Sequence, residues 1–303
     1  MEKLYFSLKV PGFPPPETAA SPSMKTVLTI AGFDPSSGAG VSADLMVFAA
    51  HGLFGTACIT GLTVQSTLGV RSVHPTPAAV VQSTLECLHA DLPPVGIKIG
   101  MATTADNVRA ISRYIAILNT KASGYLRPLA PIVLDPVLRS SSGRDLLEPA
   151  GIVALCEELL PLVSWITPNL DELAILAQMP VTSREDVPAA CRALQANVRG
   201  QHERPRLGIF ATGGHLDPPD DFLLSPSGEG HWLPGQRVAT SSTHGTGCAL
   251  SSAFLSRLVL EDSPLQAAQA AKGYVLGALE SAIQLGAGNG PLNLLWAGIP
   301  PSK

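Results

Sequence analysis

The chain has 303 residues, of which 46% are hydrophobic and 15% charged, and its formal net charge is -4. This length and composition allow one large α/β domain, or two small ones, with a sizeable buried core. Because no basic run occurs, the sequence gives no electrostatic basis for nucleic-acid binding. Likewise, no apolar stretch is long enough to span a bilayer.

The cysteine pattern indicates a reducing compartment. Five cysteines are present, an odd count, and no two of them form a C-x-x-C pair. Free thiols are therefore favoured over a disulfide framework. The N-terminus lacks a basic region followed by an apolar core, so we expect no signal peptide. Together these features predict a cytoplasmic protein with no membrane or nucleic-acid partner.

Residues 1–23 contain five prolines, and we predict a flexible Pro-rich extension there, followed by one domain over residues 24–303. Short β-rich runs then alternate with helical patterns. The strand candidates are Lys25–Ile30, Ala57–Leu62, Val95–Ile99, Pro131–Leu134, Trp165–Thr167 and Leu207–Ala211. The helical patterns are Ala43–His51, Thr76–Ala90, Ala105–Asn119, Ala150–Leu159, Asp171–Gln178 and Ser183–Arg199. This alternation predicts a mostly parallel sheet covered on both faces, with ligands beyond the carboxyl ends of its strands.

The first strand candidate leads into a glycine-rich loop, AGFDPSSGAGVSAD at residues 31–44. Gly38, Gly40 and Ala43 fit a G-x-G-x-x-A dinucleotide-binding turn, but no acid follows about 20 residues later to hold a ribose. A Walker A loop is absent, since no Gly-Lys-Ser/Thr follows a glycine run. Taken alone, the loop predicts a strand-to-helix connection in which Asp34 forms a turn.

Polar side chains follow three further strand candidates. Asp135 can hold Mg²⁺, directly or through water, and can equally cap the next turn. Asn169 or Asp171 can cap the helix that follows them, and Glu172 in its first turn is ordinary helix-dipole chemistry. The segment Thr212–His215 contains two glycines, which permit close approach to a ligand but are also common in turns. Asp217–Gly235 is rich in proline, glycine and aspartate, and predicts a surface excursion or a hairpin.

Three charged or titratable side chains have ordinary structural interpretations. His215 and His244 favour structural roles over catalytic ones. Lys98 lies inside an apolar strand, which predicts an exposed sheet edge with its aliphatic stem along the surface.

The run STHGTGC at residues 242–248 is the most informative motif. A helical pattern follows it at once, so several backbone N–H groups and the positive end of the helix dipole would meet at one point. This geometry suits a phosphate or an anionic transition state. Cys248 lies in the first turn, where we expect its pKa to be lowered. The motif therefore predicts phosphoryl transfer.

Taken together, the motifs resemble the hydroxymethylpyrimidine/phosphomethylpyrimidine kinases of thiamin biosynthesis, in the ribokinase superfamily. The resemblance is colinear from about Val27 to Asn293. Its segments are AGFDPSSGAGVSADL, TGLTVQST, KIGM, VLDPV with SSSG, TPNLDE, TGGH, STHGTGCALSSA and GNGPLN. The GTGC form is the most specific part, because other superfamily members generally have Asp where Cys248 stands.

The resemblance implies a three-layer α/β/α ribokinase-like fold with a mostly parallel central sheet, a small lid and a homodimer. It implies transfer from Mg²⁺-ATP to 4-amino-5-hydroxymethyl-2-methylpyrimidine and then to its monophosphate. By position, Asp44 and Gln65 would hydrogen-bond the substrate, and Gly32 and Met101 would line its pocket. Gly245, Thr246 and Gly247 would form the anion hole, with Cys248 as the general base. ATP would contact Asn169, Thr212, Gly214, Gly245 and Gly247, and Glu172 and Asp135 would organise the metal.

The chain departs from the family pattern at two points. The family usually has Lys where Thr212 stands, and that lysine is expected to contact ATP phosphates. It also favours a Lys shortly after the DPV segment, where Arg139 could partly substitute. Losing one such cation could lower the rate more than a hundredfold, if the contact is worth about 3–4 kcal/mol.

Three alternatives to this function stay open. One is a pyridoxal or pyridoxine kinase, which shares the GTGC form. Another is a catalytically weak pyrimidine-binding protein, which the Thr212 departure suggests. A sugar or nucleoside kinase is a third, which the short acceptor loop and Cys248 disfavour.

Overall fold

In the computed structural model, the described residues are 24–123, 130–140, 142–198 and 207–297. The extension predicted over residues 1–23 lies outside them. All five cysteines are free thiols, as the cysteine pattern predicted. No helix in the described ranges combines the length and the hydropathy needed to cross a membrane.

Within the described residues, nine strands form one sheet in the order β3-β2-β1-β4-β5-β6-β7-β8-β9. Their bounds are β1 Thr26–Phe33, β2 Phe54–Ser66, β3 Gly69–Pro75, β4 Ile97–Ile99, β5 Ile132–Leu134, β6 Trp165–Ile166, β7 Gly208–Ala211, β8 Asp221–Leu224 and β9 Gly230–Leu233. The stretch from β2 through β1, β4, β5 and β6 to β7 is parallel, and β3, β8 and β9 are antiparallel to their neighbours. The predicted mostly parallel sheet is therefore confirmed.

Eight α-helices in the described part of the chain cover the sheet. Their bounds are α1 Gly40–Ala50, α2 Ala78–Asp91, α3 Ala105–Ser123, α4 Pro149–Ala154, α5 Leu170–Ala177, α6 Val187–Asn197, α7 Thr246–Val259 and α8 Pro264–Glu280. One core lies between the sheet and α2 to α6, and a second lies between the sheet and α1, α7 and α8. Because both faces are covered, the central strands β1, β4, β5, β6 and β7 are buried at successive positions rather than at alternating ones. This is the three-layer α/β/α arrangement that the sequence predicted.

Several boundaries differ from the sequence prediction. The predicted helix Ala150–Leu159 is an α-helix only to Ala154, and a π-helical turn then covers Leu155–Leu159. Helix α8 was not predicted, although Ser263 and Gln266 form a capping box before it and proline occupies its first turn. The predicted hairpin within Asp217–Gly235 is present as β8 and β9.

Strands β2 and β3 form an antiparallel ribbon at one edge of the sheet. Only β2 had been predicted, and over a shorter range. Its turn residues Thr67 and Leu68, and the first two residues of β3, Gly69 and Val70, reach the cavity described below. The ribbon therefore contributes to the cavity wall.

Candidate active site

A cavity of about 260 Å³ opens at the carboxyl ends of the parallel strands. Such a position is typical of ligand sites in open α/β sheets. Most of the predicted site residues line it: Gly32, Gln65, Met101, Asp135, Asn169, Glu172, Thr212, Gly245, Thr246, Gly247 and Cys248. Asp44 and Gly214 are not among the lining residues. Gly214 is exposed, two positions beyond Thr212.

Two helix N-termini border one end of the cavity. Helix α7 begins directly after Gly245, which has φ 86° and whose Cβ, if present, would lie 1.8 Å from the Gly38 carbonyl oxygen. Only glycine fits that position. Helix α1 begins at Gly40 in the facing loop, and neither helix has a side-chain cap. Their first-turn N–H groups and dipoles therefore favour an anion at this end.

The opposite wall is shaped by Gly32 and Met101. A Cβ on Gly32 would lie 2.1 Å from Cε of Met101, so the thioether side chain packs directly over the glycine. Both residues line the cavity, and Met101 is buried. This part of the wall is therefore apolar.

Asp34, His244 and Gln65 form a hydrogen-bonded group that joins the first loop, the ribbon and the loop before α7. His244 Nε2 lies 2.7 Å from Asp34 Oδ2 and 3.2 Å from the Gln65 amide nitrogen. Asp34 also accepts hydrogen bonds from the backbone of Ser36 and Ala39, which confirms its predicted role as a turn former. His244 was predicted to have a structural role, and it also lies in the cavity wall.

The charge of Asp34 sets the orientation of the Gln65 amide. Burial raises the pKa of Asp34, but hydrogen bonds from His244 and Ser36 outweigh burial and lower it overall. The ionised carboxylate accepts a hydrogen bond from His244 Nε2, so the Gln65 atom facing that nitrogen must be its oxygen. We therefore assign the amide with its NH₂ group toward the cavity.

Beneath the cavity lies a network that we call the buried floor: Thr29, Asp44, Lys98 and Ser252. Lys98 is 0% exposed, and its Nζ lies 3.0 Å from each carboxylate oxygen of Asp44 and 3.9 Å from Asp135 Oδ2. The prediction of an exposed edge position is wrong, because β4 lies between β1 and β5. Burial would lower the pKa of Lys98, but Asp44, Cys248 and Asp135 raise it above its ordinary value.

Asp44 has no free hydrogen-bonding capacity on its carboxylate. Besides Lys98, it accepts hydrogen bonds from Thr29 Oγ1 at 2.6 Å and Ser252 Oγ at 2.7 Å, and it is 0% exposed. The prediction that Asp44 hydrogen-bonds a substrate does not agree with this arrangement. Its role in the structure is to neutralise Lys98 below the cavity.

Cys248 lines the cavity in the first turn of α7 and is half-buried. Burial raises the pKa of its thiol to about 12. Lys98 lowers that pKa, but Asp135 and Asp44 raise it. The prediction of a lowered pKa is wrong for this arrangement, because burial and two nearby carboxylates outweigh the helix terminus. At neutral pH the thiol is protonated.

Asp135 and Glu172 form a pair of buried carboxyl groups on the cavity wall. Burial, and then Asp135, raise the pKa of Glu172 to about 8. Burial also raises the pKa of Asp135, although Lys98 opposes this effect. A divalent cation bound between two such groups would offset the repulsion between their negative charges.

Asn169 and Glu172 also form a capping box at the start of α5. The Asn169 side chain accepts from the Glu172 backbone N–H at 2.9 Å, and Glu172 Oε2 accepts from the Asn169 backbone N–H at 2.9 Å. The capping interpretation is therefore confirmed. It leaves the predicted ligand roles open, because both residues also line the cavity.

The outer rim, which we call the mouth, consists of Arg139, Ser140, Ser142 and Thr212. Arg139 forms an ion pair with Asp145 at 2.9 Å, and its side chain is 66% exposed. Thr212 is half-buried, and its backbone pairs with that of Asn169 in an isolated parallel β-bridge. Among the residues that the structure describes, no three His, Cys, Asp or Glu side chains are grouped so that they could hold a metal ion by themselves.

The fold and this site together define a kinase of the ribokinase-like class. A solved phosphomethylpyrimidine kinase from Clostridium difficile is 30% identical, with a TM-score of 0.69 over 83% of this chain and 98% of its own. A Staphylococcus aureus pyridoxal kinase, solved with AMP-PCP and pyridoxal, is 25% identical, with a TM-score of 0.76 over 91% of this chain and 96% of its own.

Sequence comparison gives the narrower assignment. The model of the phosphomethylpyrimidine kinase family matches residues 34–293. A hydroxymethylpyrimidine/phosphomethylpyrimidine kinase from Haemophilus influenzae is 34% identical over 277 residues, which cover 89% of this chain and 97% of that protein. The chain belongs to the phosphomethylpyrimidine kinase family, as the resemblance in its motifs predicted.

Proposed function

We propose that the protein transfers the γ-phosphoryl group of ATP to the hydroxymethyl group of 4-amino-5-hydroxymethyl-2-methylpyrimidine, and then to the resulting monophosphate, in thiamine biosynthesis. One observation carries this proposal. The uncapped N-termini of α1 and α7 border the same cavity as Gln65 and Met101. A single site can therefore hold a small ring and the phosphate groups that react with it.

The acceptor ring would lie between the Gly32–Met101 wall and Gln65. An NH₂ group of Gln65 turned toward the cavity would donate a hydrogen bond to a ring nitrogen. The Asp34–His244 pair would keep the amide in that orientation. Recognition of the ring would thus need no contact from Asp44.

Phosphoryl transfer depends mainly on positioning and on stabilising charge, with little covalent help from the protein. The backbone N–H groups of Gly245, Thr246 and Gly247 would stabilise the transferred group. Cys248 would orient the acceptor hydroxyl and take up its proton as the new bond forms. Since the Cys248 thiol is protonated and hydrogen-bonds to Asp135, it would pass its own proton to that carboxylate as it takes up the proton of the hydroxyl.

Asp135 and Glu172 fit a Mg²⁺ ion, because both are buried carboxyl groups whose pKa is raised and both line the cavity. Magnesium is usually held by one or two carboxylates together with substrate phosphates and water. When bound, it would neutralise charge on the phosphates of ATP. Asn169, Thr212 and Gly214, at the ends of β6 and β7, would contact the nucleotide.

Pyridoxal phosphorylation is the second candidate, because the Staphylococcus aureus pyridoxal kinase superposes with a TM-score of 0.76. A homodimer in the cytoplasm is part of the same proposal. Exposed apolar side chains on one edge support it: Leu62 and Val64 of β2 are 50% and 48% exposed. Light scattering of the purified protein would measure the oligomeric state.

Turnover of purified protein tests the proposal. With saturating Mg²⁺-ATP and the hydroxymethylpyrimidine, we expect ADP release that depends on the acceptor, followed by slower release as the monophosphate is consumed. Acceptor-independent ADP release, or none at all, would refute the proposed function. Preference for pyridoxal over the pyrimidine would select the second candidate.

A further inference from the structure

We propose that Arg139 binds the phosphate group of a phosphorylated acceptor, and that it thereby makes the site selective for the second of the two transfers. This inference rests on the proposed function. The proposed function, as argued above, assigns no role to Arg139.

The charges around the cavity leave Arg139 as the available cation. Among the described residues that line the cavity, the acids are Asp34, Asp135 and Glu172, and the Lys and Arg residues are Lys98 and Arg139. Lys98 is committed to Asp44 and is 0% exposed. A second phosphate group entering this acidic site therefore meets one basic side chain that is free to turn toward it.

The position of Arg139 lies between the two halves of the site. It follows β5, and the sheet places β5 between β4 and β6. The acceptor wall is built on β1, β2 and β4, whereas Asn169 and Thr212 follow β6 and β7. An acceptor phosphate that faces the γ-phosphate of ATP must lie between these halves, beside the loop that carries Arg139.

The same loop touches the acceptor-side ribbon. The Val70 backbone N–H is 3.5 Å from Ser142 Oγ, and Ser142 Oγ is 2.9 Å from Ser140 Oγ. On its other side, the Leu138 backbone N–H is 3.4 Å from Glu172 Oε1. The loop is thus held at both ends, while the Arg139 side chain extends from it into solvent.

Arg139 can leave its present partner at little cost. The ion pair with Asp145 has both side chains largely exposed, at 66% and 73%. Exposed ion pairs of this kind contribute little to stability. A phosphate offers the guanidinium a bidentate, doubly charged partner instead, which is a stronger hydrogen-bonding arrangement.

The two transfers differ in their need for such a cation. In the first, a neutral hydroxyl attacks the γ-phosphorus, its proton leaves, and ADP departs with the electron pair of the broken P–O bond. In the second, a phosphate oxygen attacks, ADP departs in the same way, and an acceptor dianion has no proton to lose. Only the second brings two highly charged groups together, so only it needs Arg139 to offset their repulsion.

The test compares kcat/KM for both acceptors in Arg139→Gln. We expect the value for the monophosphate to fall roughly tenfold to a hundredfold, mainly through KM, as expected for a lost charge-assisted hydrogen bond. We expect the value for the alcohol to change less than about threefold. Arg139→Lys should restore part of the loss. Asp145→Asn, which removes the competing partner, should lower KM for the monophosphate.

Arg144→Gln is the matched control, since it removes the same charge from the same loop at an exposed residue that does not line the cavity. Equal losses with both acceptors would overturn the proposal and assign Arg139 to the nucleotide. An equal effect of Arg144→Gln would also overturn it, by showing a general charge effect. If the wild type turns over neither acceptor, calorimetric binding of the monophosphate to wild type and Arg139→Gln separates the two proposals. Equal affinities would then contradict the role of Arg139.

Discussion

The buried floor and the mouth of the cavity handle charge in opposite ways. In the floor, both carboxylate oxygens of Asp44 are occupied by internal partners, and the Lys98 ammonium is enclosed by carboxylates. In the mouth, Arg139 has one exposed acidic partner, and Thr212 carries no charge. The floor therefore holds the site together, and the mouth is where ligand charge must be met.

This contrast teaches that a charged residue beside a cavity is not thereby a ligand-binding residue. Asp44 had been expected to read the substrate, yet its hydrogen bonds are all internal. Arg139 had been considered only as a substitute cation, yet its side chain is free to reach a ligand. The two residues differ in how many of their hydrogen-bonding atoms remain free for a ligand, and this difference is more informative than their distance from the cavity.

Removing one charge from the floor should have the largest effect. Lys98→Met would leave Asp44 buried without its counter-ion, and breaking a buried pair in this way costs about 3–5 kcal/mol. Urea unfolding would measure the loss. The double variant Lys98→Met/Asp44→Asn should recover much of it, because neither partner is then charged. A single variant as stable as the wild type would contradict the structural role of the floor.

Cys248→Ala should lower kcat by roughly 10²–10³-fold, within the range for loss of a positioned proton acceptor. Binding of ATP should stay nearly unchanged, because the anion hole is made of backbone groups. Steady-state kinetics and nucleotide titration would check the two parts. Cys87→Ala, at an exposed cysteine, is the matched control. Full activity of Cys248→Ala would remove the proton-transfer role.

The raised pKa of Glu172 predicts a pH dependence of stability. A carboxyl group whose pKa is 4.5 when unfolded and about 8 when folded binds its proton more tightly in the native state. Its contribution to the free energy of unfolding is therefore present below pH 4.5 and is lost as the pH rises to about 8. The loss is roughly 2–4 kcal/mol.

Unfolding midpoints at pH 6 and pH 9 would measure this slope. Glu172→Gln should flatten it while preserving the capping box, since glutamine also suits that position. The exposed surface variant Glu157→Gln should leave it unchanged. Added Mg²⁺-ATP should also flatten the slope in the wild type. A wild-type slope identical to that of Glu172→Gln would contradict the assigned pKa.

The smallest expected effect lies at the mouth. Thr212→Lys should lower KM for ATP roughly threefold to tenfold, because a new ammonium would meet the nucleotide phosphates with an energy of about 1 kcal/mol. Thr212→Met controls for side-chain size without charge. If Thr212→Lys and Thr212→Met behave alike in ATP titrations, a positive charge at position 212 has no effect on ATP binding.

The sequence predicted the parts of this molecule that depend on near neighbours. Short β-rich runs that alternate with helical patterns identified most of the strands and helices, and the STHGTGC run located the anion end of the cavity. Strand β3 was missed because its residues are half-buried or exposed and carry no clear apolar pattern. Helix α8 was missed although its capping box was readable.

Contacts between distant residues could not be predicted in the same way. Lys98 meets Asp44 across 54 positions, Ser252 meets Asp44 across 208, and His244 meets Asp34 across 210. These contacts decide that Lys98 is buried and that Asp44 is saturated. Together with burial, the carboxylates that they bring close to Cys248 keep its thiol protonated. The local sequence around Lys98, Asp44 or Cys248 predicts none of these three features.

The most direct test of the account is a product analysis in a single mixture. Purified protein would be given Mg²⁺-ATP with equal concentrations of the hydroxymethylpyrimidine and pyridoxal, and the products would be followed by mass spectrometry over time. We expect the pyrimidine monophosphate to appear first and its diphosphate later, with little pyridoxal phosphate. Pyridoxal phosphate as the main product, or no phosphorylated product, would contradict it.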